Sequence, residues 1–332
     1  MHLKNIIESR HSLIFRIVLI ISLTTSYAIS YTGIQFFVES EPGGNYDAIT
    51  YLSMYNSKIV HGHWRYRLLT PSLARVLPDL PSSLFNDSRV ITDFWIAKVK
   101  FDIINFLFLS TTGILLFYFL LSLDLSFYES LIGILLFYTA RPVIQSAGAP
   151  MVEASAYFFL ILCLYAIRLK NLLLLTLGFS IGLFAKETTF LILPVVFFSE
   201  LKNRIKAIFL LFPGIAIYLI FRFYIHPDSQ ENYFHLKYIL SAGPRLCSLI
   251  RFNKAVDLFS SFGLLWIPVI YALINRKGPT QILRWSYLFL FLLGMIFLLG
   301  FNLGRILFYA FPVVIPLALY GMRSMLGKTA KN

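Results

Sequence analysis

Residues 171–200 read NLLLLTLGFSIGLFAKETTFLILPVVFFSE, and the architecture turns on how this segment is interpreted. Two apolar runs, 171–186 and 188–200, meet at Lys186 and Glu187, and neither alternates apolar with polar positions. A strand in a membrane β-barrel alternates between lipid and lumen. A helix satisfies its own backbone groups and can be apolar all round. The segment therefore reads as two membrane helices with a charged junction between them.

Comparable runs lie near 13–38, 101–122, 127–140, 151–168, 206–225, 257–275, 285–301 and 304–321. Together they predict an all-α polytopic transmembrane helical protein of about ten spans in one integral membrane domain, 1–332. The short runs 127–140 and 188–200 are expected to be tilted, re-entrant or finished inside a polar cavity. Composition agrees: 58% of the 332 residues are hydrophobic and 14% charged, with a mean hydropathy of +0.74. That leaves too little charged surface for a soluble domain of this size. The run 13–38 is too long for a signal-peptide core and is read as a retained first span. The two cysteines, Cys163 and Cys247, have no metal-ligand spacing and are not expected to be bridged. No internal repeat, low-complexity tract or linker interrupts the chain.

The net charge of +13 sits mainly in short connections, which points to topology and membrane lipids as contacts and not to nucleic acid. With the N-terminus cytoplasmic, the inner side collects Lys4, Arg10, Arg16, Arg168, Lys170, Lys202, Arg204, Lys206, Arg276, Lys277, Arg284, Arg323, Lys328 and Lys331. The short outer connections carry Arg141, Lys186 and Arg305. Both termini are thus expected in the cytoplasm. Two long segments fall on the outer side, 39–100 and 226–256. In the first, Ile49, Leu52, Tyr55 and Ile59 recur at helical spacing within 46–60, predicting an amphipathic helix along the membrane surface.

Charges at the outer ends of apolar runs are costly, and they mark the candidate site. They are Asp47, Arg65, Arg67, Glu153, Lys186, Glu187 and Arg305. Plainer roles exist for each. Asp47 opens a helix, where a carboxylate favours the macrodipole. Arg65 and Arg67 beside Trp64 and Tyr66 suit headgroup anchoring. Lys186 and Glu187 can pair with each other, Glu153 with a neighbouring helix end, and Arg141 can snorkel. Lys98 and Asp102 have the spacing of an ordinary helix pair. His61 and His63, two apart, do not share one helix face as metal ligands would.

Four patches carry a resemblance to a known family. NYDAITYLSMY with RYRLLTPSLARVLP is similar to the first outer loop of the GT-C superfamily of membrane glycosyltransferases. FAKETTFLILP resembles the Lys-Glu motif at a helix junction of bacterial members, and RPVIQSAGAPMVEASAYFF and NLGRILFYAFPVVIPLAL match patterns in small relatives. The family's paired acidic motif is absent, Asp47 being followed by Ala48, and so is the large C-terminal domain of some members. The resemblance implies a polyprenyl-phosphate-linked sugar as donor, a glycan, lipid or protein as acceptor, and a bacterial inner membrane serving the cell envelope. A divalent cation stays open as a cofactor, with no metal ligand assigned.

Chemistry points the same way. No nucleotide-binding fingerprint or soluble α/β domain is present to hold a nucleotide sugar. Transfer on the outer face then needs a lipid-anchored donor, whose phosphate gains charge as it leaves. Cations aimed at that phosphate favour the transition state. Arg65, Arg67, Lys186 and Arg305 are the candidates, with Glu153 and Glu187 beside them, and Asp47 is the expected general base of an inverting transfer. The other classes in view are a transporter or flippase of lipid-linked or small solutes, and a non-catalytic subunit of an envelope polysaccharide system.

Overall fold

The structure, a computed structural model, describes residues 2–39, 46–58, 60, 63–79, 89–199, 201, 203–225, 256, 259–299 and 303–327. Among these residues every regular element is helical. Helix α1 spans His2–Glu39 and α2 spans Tyr46–Tyr55. A 3-10 turn, His63–Tyr66, leads to α3, Leu69–Val76. Then come α4 (Arg89–Leu121), α5 (Phe127–Tyr138), α6 (Arg141–Ala147), α7 (Glu153–Arg168) and α8 (Leu172–Ala185). A second 3-10 turn, Glu187–Leu191, runs into α9, Ile192–Phe197. Helix α10 (Arg204–Ile220) ends in a π turn, Phe221–Ile225. The rest is α11 (Trp266–Ile274), α12 (Thr280–Leu299), α13 (Leu303–Phe308) and α14 (Phe311–Met325). The expected second outer segment, 226–256, lies outside the described residues except at its last position, as do His61, Ile59 and Cys247.

Three helical segments are long and apolar enough to cross a membrane: Ser12–Thr32, Trp95–Leu121 and Arg204–Tyr224. Helices α5 and α6, bent by 60° at Thr139 and Ala140, make a fourth if counted as one span. That is fewer than the ten apolar runs suggest. The difference arises because most of the other runs fold as shorter apolar helices of 10–17 residues. Run 188–200, for example, splits into a 3-10 turn and a six-residue helix. In the opposite sense, α4 begins at Arg89, well before position 101. Lys98 donates to Asp102 at 2.8 Å within that helix, so the polar pair satisfies itself and the helix continues through it. The expected ordinary helix pair is present, and it is buried.

Helix α7 is the hub. Twelve of its sixteen residues are buried, among them Ala154, Ser155, Ala156, Tyr157 and Cys163, and it packs mainly between α4 and α8. Contact with α8 is close at Gly182, where an added Cβ would stand 2.9 Å from Cβ of Phe159. Small residues at such crossings let backbones approach in lipid, where tight packing replaces the hydrophobic drive. Helix α8 starts at Asn171, whose side chain accepts from the Leu174 N–H at 3.0 Å, and it stops at Lys186, where the backbone becomes extended (φ −166°, ψ 143°).

Helix α2 falls within the stretch where a surface helix is expected. It ends at Tyr55, and its inward face is formed by Ala48, Tyr51 and Leu52, buried against α3 and α4, while Ile49 is exposed. The expected periodicity is present, and one face of it packs on the bundle. As a result Asp47 is pinned close to the bundle.

Candidate functional site

Four elements far apart in sequence deliver charges to one end of the bundle. Glu153 opens α7, Lys186 closes α8, Arg305 lies in α13 and Asp47 lies in the first turn of α2. The Arg305 guanidinium joins two of them: Nη1 donates to Asp47 Oδ2 at 2.6 Å, and Nη2 donates to Glu153 Oε1. Lys186 Nζ donates to the same Glu153 oxygen at 2.8 Å. Asp47, Arg305, Glu153 and Lys186, in that order, thus form a continuous chain of alternating charge in space.

A second pair lies against the first chain. Arg67 donates through Nε to Glu187 Oε2 at 2.9 Å and through Nη2 to Glu187 Oε1, a two-pronged contact. Its Nη1 donates to the Tyr51 hydroxyl at 2.8 Å. Lys186 and Glu187 do not pair with each other. Because Lys186 is extended, its side chain and that of its neighbour leave on opposite sides, one to Glu153 and the other to Arg67. Arg65 stands partly exposed two residues before Arg67.

Burial is graded across the network. Glu153 is wholly buried, whereas the Asp47 side chain is 18% exposed and that of Glu187 32%. The site therefore opens at Asp47 and Glu187 and is deepest at Glu153. Buried pairs of this kind are held by geometry more than by net stability, since desolvation consumes most of their attraction. Among the described residues three carboxylates and three cations meet here, with Arg65 and Arg222 nearby in sequence and space.

Beneath the charges lies an aromatic floor. Tyr157 follows Glu153 by one helical turn, and Tyr309 follows Arg305 by four residues, so an ion pair sits over a ring pair whose centroids are 5.3 Å apart. The Lys186 ammonium lies 5.1 Å from the Tyr309 ring centroid. Phe137, Phe308 and Phe311 complete the packing around Tyr157. Glu153 Oε2 and the hydroxyls of Tyr157 and Tyr309 are buried with no hydrogen-bond partner. Buried polar atoms are nearly always satisfied, so three orphans around one carboxylate mark a place poised for a polar ligand or a rearrangement.

Of the residues singled out in the sequence, Asp47, Arg67, Glu153, Lys186, Glu187 and Arg305 come together. Arg141 does not join them: it is exposed and donates to Ser260 at 3.4 Å. Sequence reasoning missed Tyr51, one helical turn after Asp47, and the Tyr157–Tyr309 pair. It also missed Arg222, in the π turn that ends α10, whose guanidinium lies 4.8 Å from the Tyr66 ring centroid. The signal was an arginine inside an apolar run, which reads as a span end. Among the described residues no three His, Cys, Asp or Glu side chains gather as a metal site. The three carboxylates of the network are each engaged by a cation.

No family model matches the chain, no curated protein is significantly similar to it, and no solved structure matches its fold.

Proposed function

We propose that the chain is an inverting glycosyltransferase of the GT-C kind, moving a sugar from a polyprenyl-phosphate donor to an acceptor hydroxyl outside the cytoplasm. The observation that carries the reading is the convergence of Asp47, Glu153, Lys186 and Arg305 into one chain of ion pairs, with Arg67–Glu187 beside it.

The donor is a phosphodiester with one negative charge, and the leaving polyprenyl phosphate carries two. An assembly rich in guanidinium and ammonium groups stabilises that gain of charge more than it stabilises the ground state. In the resting arrangement Arg305 is shared by Asp47 and Glu153. An incoming phosphate competes for it, and a carboxylate relieved of its arginine becomes a stronger base. Asp47, in the opening part of the network, then takes the acceptor hydroxyl proton. The acceptor oxygen bonds to the anomeric carbon as the bond from that carbon to the phosphate oxygen breaks. The phosphate leaves with the electron pair and needs no proton. Glu153 keeps Lys186 and Arg305 in position from below.

The topology proposed with this chemistry has about ten spans, with both termini on the cytoplasmic side of a bacterial inner membrane and the acceptor a glycan, lipid or protein of the envelope. It is supported by where the charges meet. Lys186 and Arg305, assigned to the outer side, meet at the Glu153 end of α7, while Arg168, assigned to the inner side, reaches Ser122 and Gln281 at the other. A transporter is the second reading, favoured by the 60° break between α5 and α6.

Asp47→Asn, assayed for sugar transfer from polyprenyl-phosphate donors in purified membranes, is expected to lower the rate on the order of 10²–10⁴-fold. Lys186→Ala is expected to lower kcat as well. Full activity in both variants defeats the assignment, and solute movement without transfer favours the transporter.

A further inference from the structure

We infer that the end of α7 opposite Glu153 carries a binding site for a phosphate group, with Lys170 and Gln281 as its contacts and Arg168 as the clamp that orients Gln281. The inference goes beyond the glycosyl-transfer reading and does not depend on it.

A cavity of about 120 Å³ lies at this end, lined by Ile167, Arg168, Lys170, Leu201 and Gln281. Sites for drug-sized molecules start at roughly 300 Å³, so this one suits a single small group. Its polar side chains are set up to donate. Lysine and arginine have no acceptor, and the one side-chain acceptor, Gln281 Oε1, already takes a hydrogen bond from Arg168 Nη1 at 3.0 Å. That bond also fixes the amide, whose two ends are told apart by their partners. With the oxygen on the guanidinium, the Nε2 end is turned elsewhere. Gln281 is only 8% exposed, and among the described residues its Nε2 meets no acceptor. Buried amides are nearly always paired at both ends, and here the cavity is what lies beside the unpaired one.

Lys170 follows α7 and stands in the left-handed position of its C-terminal turn, at φ 56°. Its N–H donates to the Ile167 carbonyl at 3.1 Å, and that of Asn171 to the Ala166 carbonyl at 2.9 Å, a Schellman pair. Glycine fits this position without steric strain, and lysine does not. A cation near a helix C-terminus favours the macrodipole, which accounts for basic residues at 168 and 170. It does not account for an amide turned to donate beside the same cavity. Among the described residues neither cation is paired with a carboxylate, since Arg168 is bonded to the Ser122 carbonyl and to Gln281. Two positive charges and an amide donor around so small a space complement the oxygens of a phosphate group.

The test follows thermal unfolding of the full chain in detergent, in inorganic phosphate and in sodium chloride of equal ionic strength. Phosphate is expected to raise the Tm of wild type above the chloride control. Gln281→Glu keeps the contact to Arg168 but sets a carboxylate oxygen beside the cavity, and is expected to abolish the phosphate response. Lys170→Gly is expected to raise the Tm in chloride, because the left-handed position is relieved, yet to need about tenfold more phosphate for the same gain. A lysine that only finishes the helix would leave that phosphate response intact. A second arm replaces inorganic phosphate with phosphatidic acid. A response to inorganic phosphate assigns a soluble ligand, whereas a response to the lipid alone, lost in both variants, assigns a lipid headgroup. Equal unfolding of wild type in phosphate, phosphatidic acid and chloride overturns the inference, as does a wild-type response in either variant. Both failures leave the glycosyl-transfer reading standing.

Discussion

Helix α7 carries a charge at each end, and the two ends are put to different use. Arg168, at its C-terminus, donates through Nε and Nη2 to the Ser122 carbonyl at 2.9 and 2.7 Å and through Nη1 to Gln281 at 3.0 Å. Nearby, Arg323 grips Glu129, which also closes the capping box of α5 through Ser126. These are local ties between helix ends, directed at backbone or at a single partner. Glu153, about 22 Å away along the same helix, is held by two cations from two other elements and keeps one oxygen orphaned. A charge that ends in satisfied local contacts holds a bundle together. A charge shared among distant elements, with an unpaired oxygen beside it, is the arrangement on which the proposed function rests.

The contrast makes measurable claims. The largest effect is expected for Glu153→Ala, which leaves Arg305 and Lys186 buried without their shared carboxylate and is expected to cost about 3–5 kcal/mol. Thermal unfolding in detergent reads this, and a shift too small to resolve means that the network is hydrated and the two ends are alike. Arg168→Gln comes next. It removes hydrogen bonds from a charged donor to a carbonyl and an amide, at about 1–3 kcal/mol, while sugar transfer per folded molecule stays at the wild-type level. Loss of transfer without loss of fold in this variant erases the distinction. The smallest effect belongs to Glu129→Gln. Glutamine keeps the capping box but loses the charge facing Arg323, a partly exposed pair worth roughly 0–1 kcal/mol. Its contribution is expected to shrink further in high salt.

The membership of the network could be read from the sequence because Glu153, Lys186, Glu187 and Arg305 sit at the ends of apolar runs, where an unpaired ion is costly, and Asp47 and Arg67 flank the helix expected in the first outer segment. The partners could not be read. Lys186 and Glu187 are neighbours, and adjacency alone is compatible with their pairing with each other. An extended residue between α8 and the 3-10 turn sends them apart, a backbone state that the residue types do not announce. Helical character was equally plain, but helix length was not. Where an apolar run breaks is decided by what it packs against, as in the bend between α5 and α6. For α2 the spacing of apolar residues gave the helix, whereas contact with α4 chose which of them face inward. Arg222 was hidden for the same reason: only the tertiary approach of Tyr66 distinguishes it from a snorkelling arginine.

One peptide bond links Lys186 to Glu187, and each belongs to a different salt-bridged group. The two groups are therefore mechanically joined, like the arms of a rocker on one short axle. The backbone at this junction is thus an anchor shared by the deepest carboxylate of the site and by the pair at its rim.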